Sequence, residues 1–361
     1  MLKSPRNGNP NFVRRSILVR EVSNQPLAEL VVKHLIRGGY FKNNAIPESV
    51  LPRLERMLAR YLFLFARVNQ LPLRQQAHLR EWLFGILGCE IEAFLAPPIR
   101  EEALLEFATE QLSRRILVTP PLPAREQELL HFIAVRQALF KLDEPIITYQ
   151  LIKGLIGRWA ALSPDTAGDG LERFAADLPR WYDQIHGAFN HRELEKFYWA
   201  AESLDTPYLI LGDALTAAAR EHRLAPEGFS SPDELEALTL AKYQMRLASQ
   251  RRKSLRAAVY STASIFLSKV AIAFAVEVPF DRYIGQFSLA SLWFNIAVPP
   301  VLMVLILLVG FGRIPRGNAA KVVMGVSQVV ADSAPPLELR RARRKSFLLR
   351  VDPDLLEKVQ R

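Results

Sequence analysis

The chain has 361 residues, of which 50% are hydrophobic and 23% charged, a composition that excludes general disorder and leaves room for one large or two moderate domains. Its net charge of +10 would suit nucleic acid if the bases formed one surface, but they do not. Residues 1–20 hold five bases and no acid, 21–241 hold 23 bases against 30 acids, Lys242–Arg256 holds six bases and no acid, and Arg313–Arg361 holds 11 bases against five acids.

The excess charge therefore brackets two apolar segments described below. Anionic headgroups attract a Lys or Arg near the surface by about 1 kcal/mol each, so membrane lipid is the expected partner and nucleic acid is not. Residues 1–23 read as a flexible basic lead without an apolar run of signal-peptide length, and the N-terminal region is expected to stay in the cytoplasm.

From Asn24 onward the pattern is helix after helix, with no alternating strand, so the expected fold class is all-α. Leu27, Leu30, Val31, His34 and Leu35 form one stripe that stops at Gly38-Gly39. Leu51, Leu54, Leu58, Tyr61, Leu62 and Phe65 mark a helix over 47–69, and an apolar helix over 73–95 ends at Pro97-Pro98. Within it lies Cys89, the only cysteine, which rules out an intrachain disulfide framework and reads as a buried structural thiol. Further helices are expected over 99–115, 124–141, 145–162, 170–188, 191–203, 207–222 and 232–253. The proline-rich 119–123 reads either as the boundary between a helical block at 24–118 and a second at 124–256, whose last helix is basic and reaches the membrane, or as a tight connection inside one domain.

Two segments differ from the rest. Ala257–Val278 is apolar nearly all round apart from Lys269 and, at its end, Glu277, and Tyr283–Gly312 contains no charge. Each exceeds or matches the roughly 20 residues that cross a hydrocarbon core. A central Lys costs about 2.5–3.5 kcal/mol on insertion scales, which Val259, Ile265, Phe266, Leu267, Val270, Ile272, Phe274 and Val276 offset. The expectation is a transmembrane hairpin over 257–311, with spans 257–278 and 289–311 and a basic cytoplasmic tail over 312–361.

Charge sets its orientation. Arg251, Arg252, Lys253 and Arg256 precede the first span, and Arg313, Arg316 and Lys321 follow the second, whereas the loop between them holds Arg282 beside Glu277 and Asp281. The positive-inside rule then places both termini in the cytoplasm of a multi-pass protein of the inner membrane. An amphipathic stretch over 319–330 is expected along the inner membrane face, ahead of the basic cluster Arg340–Lys345.

Two features of the hairpin suggest specific packing. Ala257, Ser261, Ser264, Ser268, Ala271 and Ala275 recur at four-three spacing and form a face of small residues, which permits close helix approach in a bilayer. In the second span, Pro299 and Pro300 lack N–H groups and leave the carbonyls of Asn295 and Ile296 without their helical donors. Lys269 lies at a matching depth in the first span, so pairing of Lys269 with these carbonyls and the Asn295 amide is expected, the alternative being snorkelling toward the loop carboxylates Glu277 and Asp281.

The run Ser264-Ile-Phe-Leu-Ser-Lys-Val-Ala-Ile-Ala-Phe-Ala-Val-Glu-Val-Pro-Phe-Asp281, with Asn295-Ile-Ala-Val-Pro-Pro300, resembles uncharacterised bacterial multi-pass membrane proteins of small-genome lineages. The resemblance is limited to residues 257–312. It implies a multi-pass protein with a further span where this chain ends, and it brings no activity or catalytic residue.

The residues offer little chemistry. His34, His78, His131, His186, His191 and His222 are scattered, and His186 and His191 miss the i, i+4 spacing of paired helical ligands. His191–Glu195 reads as a solvated helix start, and Gly154-Leu-Ile-Gly157 lacks the strand–loop–helix setting of a phosphate loop. Trp159, Trp181, Tyr182, Phe197, Tyr198 and Trp199 read as core. No enzymatic activity, cofactor or metal is expected. The preferred function is a membrane-anchored scaffold or adaptor that recruits a cytoplasmic protein. The alternative is an oligomeric transport or channel subunit that uses Lys269 and Asn295, since two spans enclose no pathway alone.

Overall fold

The computed structural model describes residues 26–119, 121–164, 170–221, 231–277, 317–333 and 335–340, with isolated positions between 279 and 305. The architecture is mostly helical, as the apolar periodicity requires. Two compact units partition the chain: Met1–Asp205 with Pro335–Arg361 forms the first, and Thr206–Ala334 the second.

In the first unit, α1 (Leu27–Arg37) and α2 (Leu51–Val68) pack together, and a 3-10 turn at Glu48–Val50 leads into α2. The α2 stripe is buried as its spacing demands, with Leu54, Leu58, Tyr61, Leu64 and Val68 at most 1% exposed. The next helix, α3 (Leu73–Leu95), buries every residue from Trp82 to Ile91 and packs on α2 and on α6 (Glu144–Leu155). Gly85 permits that second crossing: a Cβ there would stand 3.2 Å from Pro145 Cβ. Asp143 caps α6 by accepting from the Ile146 N–H, and Pro145 occupies its first turn.

The unit continues with α4 (Ile99–Arg115), α5 (Ala124–Phe140), α7 (Gly170–Ala176), α8 (Leu178–Phe189) and α9 (Leu194–Ser203). Helices α5 and α9 pack closely, because α5 offers the small Ala134 and Ala138 and α9 offers Ala200 and Ala201, all buried. Helices α4 and α5 also pack on each other across the proline-rich 119–123. The division between compact units falls at Asp205–Thr206.

Several sequence expectations change in detail. The helix expected over 145–162 ends at Leu155 and resumes as a 3-10 turn at Trp159–Ala161. The one expected over 170–188 breaks at Asp177, and Pro179 sits in the first turn of the new helix. Two short strands appear where none was expected. Ile116–Thr119 (β1) pairs in parallel with Leu337–Arg340 (β2), Ile116 opposite Leu337 and Thr119 opposite Arg340. Four-residue strands separated by most of the chain leave no local signal.

In the second unit, α10 (Asp205–Arg220) buries Tyr208, Ile210, Leu211, Ala214 and Ala218. Next comes α11 (Pro232–Ile272), which continues as a π turn over Ala273–Glu277. Its 41 residues span about 60 Å at 1.5 Å per residue. The expected basic helix 232–253 and first span are thus one uninterrupted rod. Only its start is buried, at Leu235 and Thr239. There α12 (Gly317–Val330) packs on α11. The 319–330 stretch, expected along a membrane face, instead buries Val326 and Val329 in this unit, and Gly325 meets the Pro207 ring. The second span and the tail beyond Arg340 lie outside the described residues, apart from scattered positions such as Phe294 and Leu305.

Candidate functional site

The features with functional content are an apolar helix and a buried polar cluster. Helix α11 with its π turn contains an 18-residue window of mean hydropathy 1.7, none of it buried. Among the described residues it is the one helix that by itself is long and apolar enough to cross a membrane. Helices α3 and α4 together are also apolar enough, but they bend by 113°, and the apolar residues of α3 fill the first unit's core.

Along α11 the side chains face outward on every side. Val259 is 57% exposed, Leu267 70% and Phe274 63%. The small-residue face is also open: Ala257, Ser261, Ser264, Ser268, Ala271 and Ala275 are all exposed. At 100° per residue they occupy a stripe about 80° wide. The Ser268 hydroxyl donates to the Ser264 carbonyl at 2.9 Å and so needs no partner from another helix. Lys269 lies off this stripe, exposed.

Arg251, Arg252, Lys253 and Arg256 are exposed and point to different sides of the helix, as their spacing dictates, so they form a girdle rather than a stripe. Nearer the start of α11, Arg246 instead pairs with Asp213 of α10 at 3.0 Å. Asn295, Pro299, Pro300, Arg313 and Arg316 lie outside the described residues, and with them the expected Lys269–Asn295 pairing.

The buried polar cluster was not anticipated. Glu90, on the inner side of α3, forms a salt bridge with Arg60 of α2. It also accepts from the Tyr61 hydroxyl at 2.7 Å and the Trp159 indole N–H at 2.9 Å. Arg60 donates in addition to the Trp159 carbonyl at 2.8 Å, and its guanidinium lies 4.7 Å from the Trp159 ring centroid. Burial, then the neighbouring Glu90 charge, holds the Tyr61 hydroxyl well above its usual range and keeps it a donor. Every arm of the carboxylate is satisfied, which identifies a structural node joining α2, α3 and the 3-10 turn. The sequence signal was Glu90, one of two acids with Glu92 inside the otherwise apolar run Trp82–Leu95.

Other expected residues resolve differently. Cys89 is buried and burial raises its thiol pKa, which makes it a poor nucleophile. His191, expected at a solvated helix start, has a buried side chain, and its Nε2 lies 3.0 Å from a Glu126 carboxylate oxygen. His131 is buried against the edge of Phe197, and burial lowers its pKa to about 4. Trp159, Trp181 and Phe197 are core, as expected, but Trp199 is 59% exposed. Among the described residues no group of three His, Cys, Asp or Glu side chains is arranged to hold a metal ion.

No family model, curated protein or solved structure matches the chain.

Proposed function

We propose that the chain is an integral membrane protein held by a helical hairpin, and that its helical region is a cytoplasmic scaffold for a protein partner at the inner membrane face. The observation that carries this reading is the pairing of β2 with β1. Residues 337–340 belong to the same compact unit as residues 116–119, which supports flanks that lie on one side of a membrane before and after the apolar segments. If α11 crosses the bilayer, the chain returns before β2, and the charge-free Tyr283–Gly312 is the segment fitted to do so. Packing of α12 on α11 gives the same answer from the second unit.

The exposed bases Arg251, Arg252, Lys253 and Arg256 suit a headgroup layer, and with Arg313, Arg316 and Lys321 they support cytoplasmic flanks by the positive-inside rule. The scaffold role is supported by the double attachment of the first unit. It is tied to the membrane-bearing unit at Asp205–Thr206 and again at Ala334–Pro335.

Labelling of intact cells tests the topology. A cysteine at Gly285 should react with a membrane-impermeant maleimide, while one placed after Arg361 should react only after lysis; reaction of both in intact cells would overturn the hairpin. For the scaffold, mild-detergent extracts should contain a species larger than any oligomer of this chain alone. A stable ring of the chain by itself would instead support the transport subunit.

A further inference from the structure

The first unit contains a cavity of about 340 Å³ between α5, α6 and α8. Its walls are Leu129, Phe132, Leu151, Leu155 and Ile185, with Trp181 among them, and its mouth carries Arg125, Glu128 and Gln184. The volume and the apolar lining with few polar groups are those of a small-molecule site. Water gains little in such a space, because a buried water needs two to four polar partners.

Two features distinguish it from a packing fault. Gly154 interrupts the side chains of α6 where they face the cavity, and a Cβ there would meet nothing within 4 Å. Gly154 is exposed, so a side chain placed there has open space to occupy at the rim of the cavity. Trp181, 1% exposed, has an indole N–H without an acceptor, a cost that a native core normally avoids.

The mouth carries one cation and one acid, and the cation stands nearer the helix N-terminus. Arg125 is exposed and has no ion-pair partner among the described residues. It stands in the first turn of α5, whose N-cap Pro123 supplies no side-chain acceptor. The guanidinium and the positive end of the helix therefore act together at the mouth. Glu128, one turn further, is the only acid lining it.

We propose that this cavity binds a small amphipathic acid, with an aliphatic tail among Leu129, Phe132, Leu151 and Ile185 and a carboxylate at Arg125. The site lies wholly in the first unit, and the proposal is independent of the membrane reading.

Octanoate labelled with 13C at the carboxyl carbon is a suitable probe. It would be titrated by NMR against the full chain in uncharged nanodiscs, with empty nanodiscs subtracted. Saturable binding at one site per chain is expected. Gly154→Leu, which places a side chain in the cavity without a clash, should weaken it by roughly tenfold or more, because pockets register single methylene groups. Arg125→Gln, a surface change, should weaken octanoate several-fold and leave 1-octanol unchanged. Absence of saturable binding, or binding indifferent to Gly154→Leu in a folded variant, would overturn the site. Equal effects of Arg125→Gln on acid and alcohol would overturn the carboxylate assignment.

Discussion

Ile116 of β1 and Leu337 of β2 stand opposite each other at the start of a parallel two-stranded ladder. Parallel strands always need a crossover, and here the crossover comprises everything from the proline-rich 119–123 through the apolar segments. The ladder therefore records where residues 337–340 return relative to residues 116–119.

A cysteine pair tests that ladder directly. Leu117 and Glu338 are partners, both exposed, and strands lie about 4.8 Å apart, inside the range that a disulfide bridges. Leu117→Cys with Glu338→Cys should cross-link on mild oxidation, seen as two joined fragments after proteolysis between them. Leu117→Cys with Arg340→Cys, about 8 Å apart by the strand diagonal, should not. Buried Cys89 does not compete. Equal cross-linking of both pairs would remove the register, and no cross-linking of either would remove the ladder.

The Arg60–Glu90 pair predicts a specific pattern of destabilisation. Removing one member leaves a buried charge uncompensated, so Glu90→Leu should cost about 3–5 kcal/mol. Arg60→Met together with Glu90→Leu should cost much less than the sum of the two single changes. Trp159→Phe removes one hydrogen bond and some packing, and should cost about 1–2 kcal/mol. Chemical denaturation of the solubilised chain measures all four variants, and additivity in the double variant would show that the pair is not coupled.

These two features show what the sequence carried and what it did not. Helix α2 was legible because Leu54, Leu58, Tyr61 and Phe65 recur with its own period, and period is a local property. The continuity of α11 was half legible: its basic and apolar halves look like different objects, but no Gly or Pro separates them. Glu90 was invisible as a site, because its meaning depends on Arg60 and Trp159 arriving from elsewhere. The ladder was hidden for the same reason. Trp199 misled in the other direction, since an aromatic beside Tyr198 and Phe197 on a short helix must face outward when Phe197 faces in.

His131 predicts a pH dependence. Its folded-state pKa is depressed to about 4 from an ordinary 6.5, because burial disfavours the charged ring. Above pH 6.5 neither state binds the proton and the group is silent. As pH falls from 6.5 towards 4 the unfolded chain takes up the proton first, and stability falls by up to about 3 kcal/mol. His131→Phe should remove that part of the acid slope without introducing a charge. Identical slopes between pH 6.5 and 4 in both proteins would show that His131 is not held neutral.

Gly154 and Gly325 are both helical, yet Ala should act oppositely at the two sites. At Gly154 a Cβ meets nothing within 4 Å, so Gly154→Ala should add up to about 1 kcal/mol through helix propensity. At Gly325 it would stand 2.9 Å from Pro207 Cγ, in a ring that cannot rotate away. Overpacking costs about 1–3 kcal/mol, so Gly325→Ala should be neutral at best, and Gly325→Val should loosen α12 from α10. Limited proteolysis near Asp332 reports that loosening, and a stabilised Gly325→Val would show that α12 does not pack as described.

If α11 crosses a bilayer, its exposed small-residue face is the side fitted to meet another helix. Ser264 and Ser268 lie on that face and Phe266 lies on the opposite side, since two residues turn the helix by about 200°. A face that packs against another helix in the bilayer gains from close backbone approach, whereas a face in contact with lipid tails gains nothing from being small. Ser264→Leu and Ser268→Leu raise the hydropathy of the segment, so any insertion defect would have to come from lost packing rather than lost affinity for lipid. Both should therefore insert normally but lower the stability of the solubilised protein. Phe266→Leu should change neither property much. The Ser268 hydroxyl already bonds within its own helix, so Ser268→Ala keeps the surface small and should be tolerated, which separates size from hydrogen bonding. Stability in detergent across the four variants is the measurement, and four equal values would mean that this face meets lipid like the rest of the helix.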